Sequence, residues 1–335
     1  MMDLKLEKVQ IHPTNRCNLK CIFCDVSCTH ANAVDLDEEK FVDISNELCK
    51  LQPSVVTISG GGEPLLRHNL LMDMIKILYS GNIKAEIITN GTLVSNQMAR
   101  TIAECCHDYL LSIHSTSENL DEFLRGKKDS INNSFDGVKQ IVYWKEKMKK
   151  DEPQIGTVMV INKFNIKEID KMIKKAFSLR INNVRLRMVH KWGDKYLPSQ
   201  RQMKFLKKNL KNYENLASEY NLELFYHFLV EDLFPETKEK PVENKISKDQ
   251  FSCKLPFKEM VIFADGRVAP CCNFITDTED SVGVDSIKNK TLSEVWFGKK
   301  FNLLRKYVTE GDKSKLPKTC KECSIDLKPI DKGYK

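Results

Sequence analysis

Two rhythms of apolar and polar positions alternate along the chain. Short β-branched runs at 9–12, 55–59, 85–89, 109–114, 155–161 and 184–189 are separated by longer stretches in which apolar residues recur every three or four positions. The runs predict buried strands, and the stretches predict amphipathic helices over 37–51, 68–80, 95–106, 134–149 and 166–178. Strand, helix, strand repetition implies parallel pairing, hence a βα barrel or an open α/β sheet with function at the C-terminal strand ends.

Beyond residue 189 the rhythm changes. A lysine-rich helix is expected over 199–220 and an extended run over 222–228. The polar segment 235–250 has no apolar period and reads as a linker. From 251 a compact tail follows, with an Asp265-Gly266 hairpin turn and a helix over 291–308. The organisation expected is therefore a barrel with a helical extension over 1–234, a linker over 235–250 and a small α+β domain over 251–335.

No apolar run reaches the roughly 18 residues of a membrane span, so a soluble chain with no membrane partner is expected. The N-terminus MMDLKLEKVQIHPT lacks a signal-peptide core, which favours a reducing cytoplasm. The net charge of +7 is concentrated in lysine runs at 145–150 and 204–211. Without interleaved aromatics these read as solvated helix faces, and nucleic acid is not the expected partner.

The twelve cysteines change the picture, because a chain of 335 residues does not need disulfide staples. Cys17, Cys21 and Cys24 stand at C-x3-C-x2-C directly after the first strand. Cys28 or His30 could complete a zinc site, while three thiolates on an iron–sulfur cluster leave one iron open. The spacing and place resemble the radical SAM superfamily, whose loop binds a [4Fe-4S] cluster and S-adenosylmethionine. The resemblance extends to Gly61, Gly62 and Glu63 as the GGE motif, where glycines allow close backbone approach. It implies cofactor-binding roles for Phe23 near adenine, Asn90, Ser112 at the ribose and Arg125 at the methionine carboxylate. His114 departs from the family pattern, in which aspartate is common.

A second group, Cys253, Cys271, Cys320 and Cys323, includes C-x12-G-x4-C with Gly266 as its glycine. Four thiolates could close on a cluster or on zinc. The pattern resembles the SPASM/Twitch extension behind many radical SAM barrels, and the short remainder after Cys323 matches the Twitch form with one auxiliary [4Fe-4S] cluster. Cys272 is left over, as a buried hydrophobe, an alternative cluster ligand or a hydrogen donor, and Glu259 is a candidate base. Cys28, Cys49, Cys105 and Cys106 have no partner spacing.

The resemblance implies reductive cleavage of S-adenosylmethionine to a 5′-deoxyadenosyl radical, hydrogen abstraction from a small metabolite or peptide, and electron transfer to the auxiliary cluster. An external electron donor such as flavodoxin or ferredoxin is implied with it. A redox-neutral epimerase using Cys272 is the alternative, and a zinc-stapled binding protein is more remote. Only sixteen residues precede Cys17, which leaves no room for a peptide-recognition domain and places a small metabolite slightly ahead as substrate.

Overall fold

The computed structural model describes residues 4–24, 33–189, 195–226 and 253–323. Its centre is one sheet of ten strands. Seven are mutually parallel in chain order: β1 (Lys8–Ile11), β2 (Val55–Ile58), β3 (Lys84–Thr89), β4 (Asp108–Ser112), β5 (Gln154–Ile161), β6 (Asn183–Met188) and β7 (Glu223–Phe225). On the free side of β1 lies β8 (Glu259–Ile262), also parallel, followed by antiparallel β9 (Arg267–Ala269) and β10 (Asp285–Ser286). The expected linker over 235–250 lies outside the described residues. The tail beyond it continues the barrel sheet, with Lys8 opposite Glu259 and Ile11 opposite Ile262.

Alternation along each strand gives the sheet two faces. Val56, Ile87, Tyr109, Ile155 and Leu186 turn outward into the core beneath the helices and are essentially fully buried. Each such side chain contributes roughly 1.5–3 kcal/mol of burial. The helices covering this face are α1 (Glu38–Leu51), α2 (His68–Ser80), α3 (Asn96–Cys105), α4 (Glu118–Arg125), α5 (Ser130–Lys147), α6 (Ile169–Ser178) and α7 (Gln200–Glu219). In α3, for example, Met98, Ala99, Ile102 and Ala103 form the buried stripe, and Ser95 Oγ caps the N-terminus by accepting the Met98 amide.

The opposite face is polar. Thr57 Oγ1 donates to Glu86 Oε2 at 2.7 Å, and Arg185 Nη1 reaches Glu86 Oε1 at 3.7 Å across the two intervening strands. A side chain spanning from β6 to β3 requires the sheet to curl, so this face is the concave inside of an incomplete barrel. Gly156 leaves the space that the Asn183 carboxamide fills; a Cβ there would lie 2.3 Å from Asn183 Oδ1.

Two elements depart from the sequence expectation. Helix α4 was not expected, because its inward face carries Asp121 and Arg125 beside Leu124, and an ion pair in the interior erases the apolar stripe. The helix expected over 291–308 is two, α8 (Leu292–Trp296) and α9 (Lys299–Glu310), separated at Phe297 and Gly298. Gly298 adopts extended backbone, and a Cβ on it would meet the Glu294 carbonyl at 2.4 Å. A last short helix, α10 (Lys318–Lys321), carries Cys320.

Candidate cluster and cofactor site

The loop after β1 carries Cys17, Cys21 and Cys24 and is braced from three sides. Leu36 donates its amide to the Pro13 carbonyl at 3.0 Å, and Thr14 Oγ1 bonds Asp35 Oδ1 at 2.5 Å. On the second side lies the glycine run after β2. Glu63 donates its amide to the Arg16 carbonyl at 2.7 Å, and a Cβ on Gly62 would lie 1.8 Å from that carbonyl oxygen. A Cβ on Gly61 would meet the Thr14 carbonyl at 2.7 Å, and its φ of +68° is itself left-handed. The space that these glycines leave open is thus filled by the cysteine loop itself, whereas the sequence suggested close approach to a ligand.

The third brace is the C-terminus of α4. Its last carbonyls are helix acceptors without intrahelical partners. Arg125 O accepts the Lys20 amide at 2.9 Å and Leu124 O accepts that of Ile22 at 3.0 Å. The Arg125 side chain is fully buried, donating through Nη2 to Asn90 O at 3.1 Å and to Ser134 Oγ at 3.0 Å. Asp121 stands 3.5 Å from its Nη1. The guanidinium ties α4, α5 and the end of β3 together, and its Nε and Nη1 make no hydrogen bond among the described residues. Its charge acts on Cys21, whose thiol is nonetheless pushed up to about 12 by burial and by the neighbouring thiolates Cys24 and Cys17. A thiol raised by burial and by its two cysteine neighbours, with the buried Arg125 charge close by, suits a negatively charged metal cluster better than a set of free thiolates.

Glu63 is likewise interior. Its Oε1 accepts from Leu65 N at 2.9 Å and Thr89 Oγ1 at 2.6 Å, and its Oε2 accepts from Asn90 N at 2.8 Å. Burial pushes its carboxyl upward, and the hydrogen bonds from Thr89, Asn90 and Leu65 oppose that shift. Asn90 Nδ2 donates to Asn18 Oδ1 at 2.9 Å, fixing the residue after Cys17 to the tip of β3. Asn18, Thr89, Asp121 and Ser134 were not singled out from the sequence, since isolated polar residues carry no periodic signal.

At the end of β4, Ser112 Oγ lies 3.4 Å from His114 Nε2. His114 Nδ1 accepts the Val160 amide at 3.1 Å, so its proton sits on Nε2, toward Ser112. Burial, reinforced by Arg125, lowers its pKa to about 3 and keeps it neutral. The half-buried Phe23 meets the His114 ring edge-on at 4.8 Å. Phe23, Ser112 and the buried Gly61 thus share the C-terminal rim of the barrel with the three cysteines.

The second thiol group sits at the other end of the strands. Cys253 precedes β8, and Cys271 follows antiparallel β9, so both lie where β8 and its parallel neighbour β1 begin. Cys253, Cys271, Cys320 and Cys323 line one small pocket whose walls are apolar, including Leu255, Pro256, Phe274 and Val308. Burial first, then mutual repulsion, raises Cys320 to about 12, and burial raises Cys253 to about 11. The sulfurs also accept hydrogen bonds, from the Leu255 amide to Cys253, the Asn273 amide to Cys271 and Asn273 Nδ2 to Cys323 at 3.8 Å. Thiols crowded in an apolar pocket with N–H donors aimed at sulfur fit thiolates held on a metal cluster. Arg305, itself buried, closes the region by donating to Pro256 O at 2.8 Å and Trp296 O at 2.7 Å.

Cys272 is exposed and does not line this pocket. Glu259 is half-buried beside Lys8, and its charge is felt by Cys253, which places it next to the second thiol group. Cys28 and His30 lie outside the described residues. Among the described residues, no three His, Cys, Asp or Glu side chains close on a single metal ion. A four-iron cluster puts each thiolate on a different iron and takes wider spacing.

Comparison with known proteins gives both halves a family. Residues 11–176 match the radical SAM superfamily, and residues 253–324 match the SPASM iron–sulfur cluster-binding domain. The tungsten-containing aldehyde ferredoxin oxidoreductase cofactor-modifying protein of Pyrococcus furiosus is 24% identical over 343 residues, covering 93% of this chain and 85% of that one. The crystal structure of Streptococcus suis SuiB superposes with a TM-score of 0.67 at 18% identity, covering 90% of this chain and 68% of SuiB. The structure of anSMEcpe with bound AdoMet and the Cp18Cys peptide gives 0.64 at 17% identity, covering 95% and 86%. At these identities the structural likeness is one of fold. The radical SAM domain implies S-adenosylmethionine and a [4Fe-4S] cluster, and the SPASM domain implies auxiliary iron–sulfur clusters. Together, the cysteine loop at one end of the strands, the thiol pocket at the other and the two family matches identify this chain as a radical SAM superfamily enzyme with a C-terminal SPASM domain.

Proposed function

We propose that the protein oxidises a carbon of a small metabolite or peptide bound inside the barrel, with Cys17, Cys21 and Cys24 holding the radical-generating cluster and Cys253, Cys271, Cys320 and Cys323 holding one auxiliary cluster. When bound, S-adenosylmethionine and the two clusters supply the radical that removes a substrate hydrogen and the acceptor for the electron left behind. The observation that carries the oxidative reading is the thiol pocket: all four of its cysteines line one cavity, while Cys272 stands outside it at the surface. A hydrogen-donating thiol has to face the substrate radical, so exposure of Cys272 favours oxidation over epimerisation.

The residues of the chain have distinct tasks. The glycine run and Glu63 fix the cysteine loop against β2 and β3, while the α4 carbonyls fix it from behind. Phe23, Asn90 and Ser112 line the cofactor at the C-terminal rim. The polar inner face, with Thr57, Glu86 and Arg185, gives a substrate hydrogen-bonding partners between the two clusters. Glu259, whose carboxyl burial pushes upward, can receive the proton released when the substrate radical is oxidised.

Anaerobic reconstitution tests this reading. The wild type is expected to hold about eight irons per chain, and Cys320→Ala about four. Dithionite-reduced wild type should convert S-adenosylmethionine to 5′-deoxyadenosine, and Cys21→Ala should not. Full turnover in Cys21→Ala, or about four irons in the wild type, would overturn the assignment. With a substrate in hand, product formed by Cys272→Ala in deuterated water without solvent deuterium at the reacting carbon removes the epimerase alternative.

A further inference from the structure

Four segments place aromatic rings on the surface behind the cysteine loop. Phe123 of α4 is 51% exposed and Phe164, after β5, is 40% exposed; their rings meet edge to face at 4.9 Å. Tyr196 continues the row at 6.3 Å from Phe164, and Phe205 of α7 is 36% exposed. Gln202 Nε2 donates to Lys163 O at 2.6 Å and the Lys163 amide donates to Tyr196 O at 2.8 Å, so the segments are held as one surface.

Lysines rim these rings. Lys163 Nζ lies 5.1 Å from the Phe164 centroid, Lys195 Nζ 4.9 Å from Tyr196 and Lys167 Nζ 5.9 Å from Phe205. The adjoining stretch of α7 from Gln200 to Lys211 carries Arg201, Lys204, Lys207, Lys208 and Lys211 and no acid. Exposed aromatics within a cationic rim have the make-up of a protein-docking surface whose partner is acidic. Of these rings only Phe205 lies within the 204–211 lysine run; Phe123, Phe164 and Tyr196 come from distant segments.

The position of the patch gives it a purpose. Phe123 immediately precedes Leu124 and Arg125, whose carbonyls hold the amides of Ile22 and Lys20. A partner seated on Phe123 and Phe164 is therefore one hydrogen-bonded layer from the loop that carries Cys21 and Cys24. We propose that this surface docks an acidic electron-donor protein, a small flavoprotein or iron–sulfur protein, which passes its electron through the 20–24 loop. The inference rests on the radical SAM reading of that loop, and it adds where the reductant binds.

The test uses the reconstituted holoenzyme and flavodoxin as probe, with two readouts. Binding of oxidised flavodoxin is measured without turnover, and 5′-deoxyadenosine formation is measured with reduced flavodoxin or with dithionite. Wild-type binding should weaken steeply as salt rises from about 0.05 to about 0.5 M. The triple variant K163E/K167E/K195E should bind about tenfold or more weakly and lose flavodoxin-driven turnover to the same degree, with dithionite-driven turnover unchanged. Phe164→Ser should weaken binding and leave its salt dependence intact. Wild-type affinity in both variants overturns the proposal, as does loss of RNA binding in the triple variant with normal flavodoxin binding. A wild type that binds flavodoxin through this surface but makes no 5′-deoxyadenosine with dithionite refutes the catalytic reading and leaves the surface standing.

Discussion

Glu63 Oε2 accepts the backbone amide of Asn90 at 2.8 Å, so a carboxylate from the β2 loop holds the tip of β3 in the place where the cysteine loop rests on both. Replacing Glu63 with Gln supplies two extra donor hydrogens where three donors already converge. Because the site is buried, at least one hydrogen bond is lost, and a destabilisation of about 1–3 kcal/mol is expected. Chemical denaturation of the variant, with iron content read in parallel, checks it; unchanged stability would mean that Glu63 is protonated in the native protein.

Gly62→Ala probes contact sterics separately from backbone conformation. Gly62 does not adopt a left-handed backbone, but its added Cβ would overlap the Arg16 carbonyl. The expected result is a displaced cysteine loop, loss of the first cluster to leave about four irons per chain, and no 5′-deoxyadenosine. The auxiliary site should be untouched. Full iron loading in this variant would contradict the packing described.

Cys271 and Cys272 are adjacent in sequence and opposite in prediction. Cys271→Ala removes a wall of the thiol pocket and should lower iron to about half, whereas Cys272→Ala should keep its iron and its S-adenosylmethionine cleavage. Equal iron loss in both variants would show that the ligand set includes Cys272.

His12 sets an acid limit on stability. Its Nε2 lies 2.9 Å from Gln10 Nε2, an amide donor, so the ring accepts there and is neutral. Burial lowers its pKa to about 4, against an attraction from Asp265 that raises it. Between pH 6.5 and 4 the unfolded chain therefore binds a proton that the folded chain refuses. Stability falls with pH across that window by up to about 1.4 kcal/mol per unit from this group. Urea unfolding at several pH values should show a flatter dependence for His12→Asn than for the wild type. Parallel curves would place the acid sensitivity elsewhere.

What was legible in the sequence was what is local. β-branched runs such as 55–59 read as strands because their packing depends on neighbours one pleat away, and the two cysteine groups are recognisable from spacing alone. Interactions between distant segments were not legible. Arg125 stood out in the sequence, but its hydrogen bonds to Asn90 and Ser134, which come from other elements, did not. The glycine run was found, but the atoms filling the space beside it, from Thr14 and Arg16, belong to a segment some forty-five residues earlier. The polar inner face was not legible because Thr57, Glu86 and Arg185 find one another only across separate strands.

The pairing of β8 with β1 has a consequence for how the chain is made. The first strand leaves the ribosome more than two hundred residues before its second neighbour. For most of synthesis β1 therefore presents an open edge beside an unfinished barrel, with its backbone donors and acceptors unmatched on that side. A chain stopped short of residue 253 keeps that edge permanently, and its expected fate is strand-to-strand aggregation even when every barrel residue is intact.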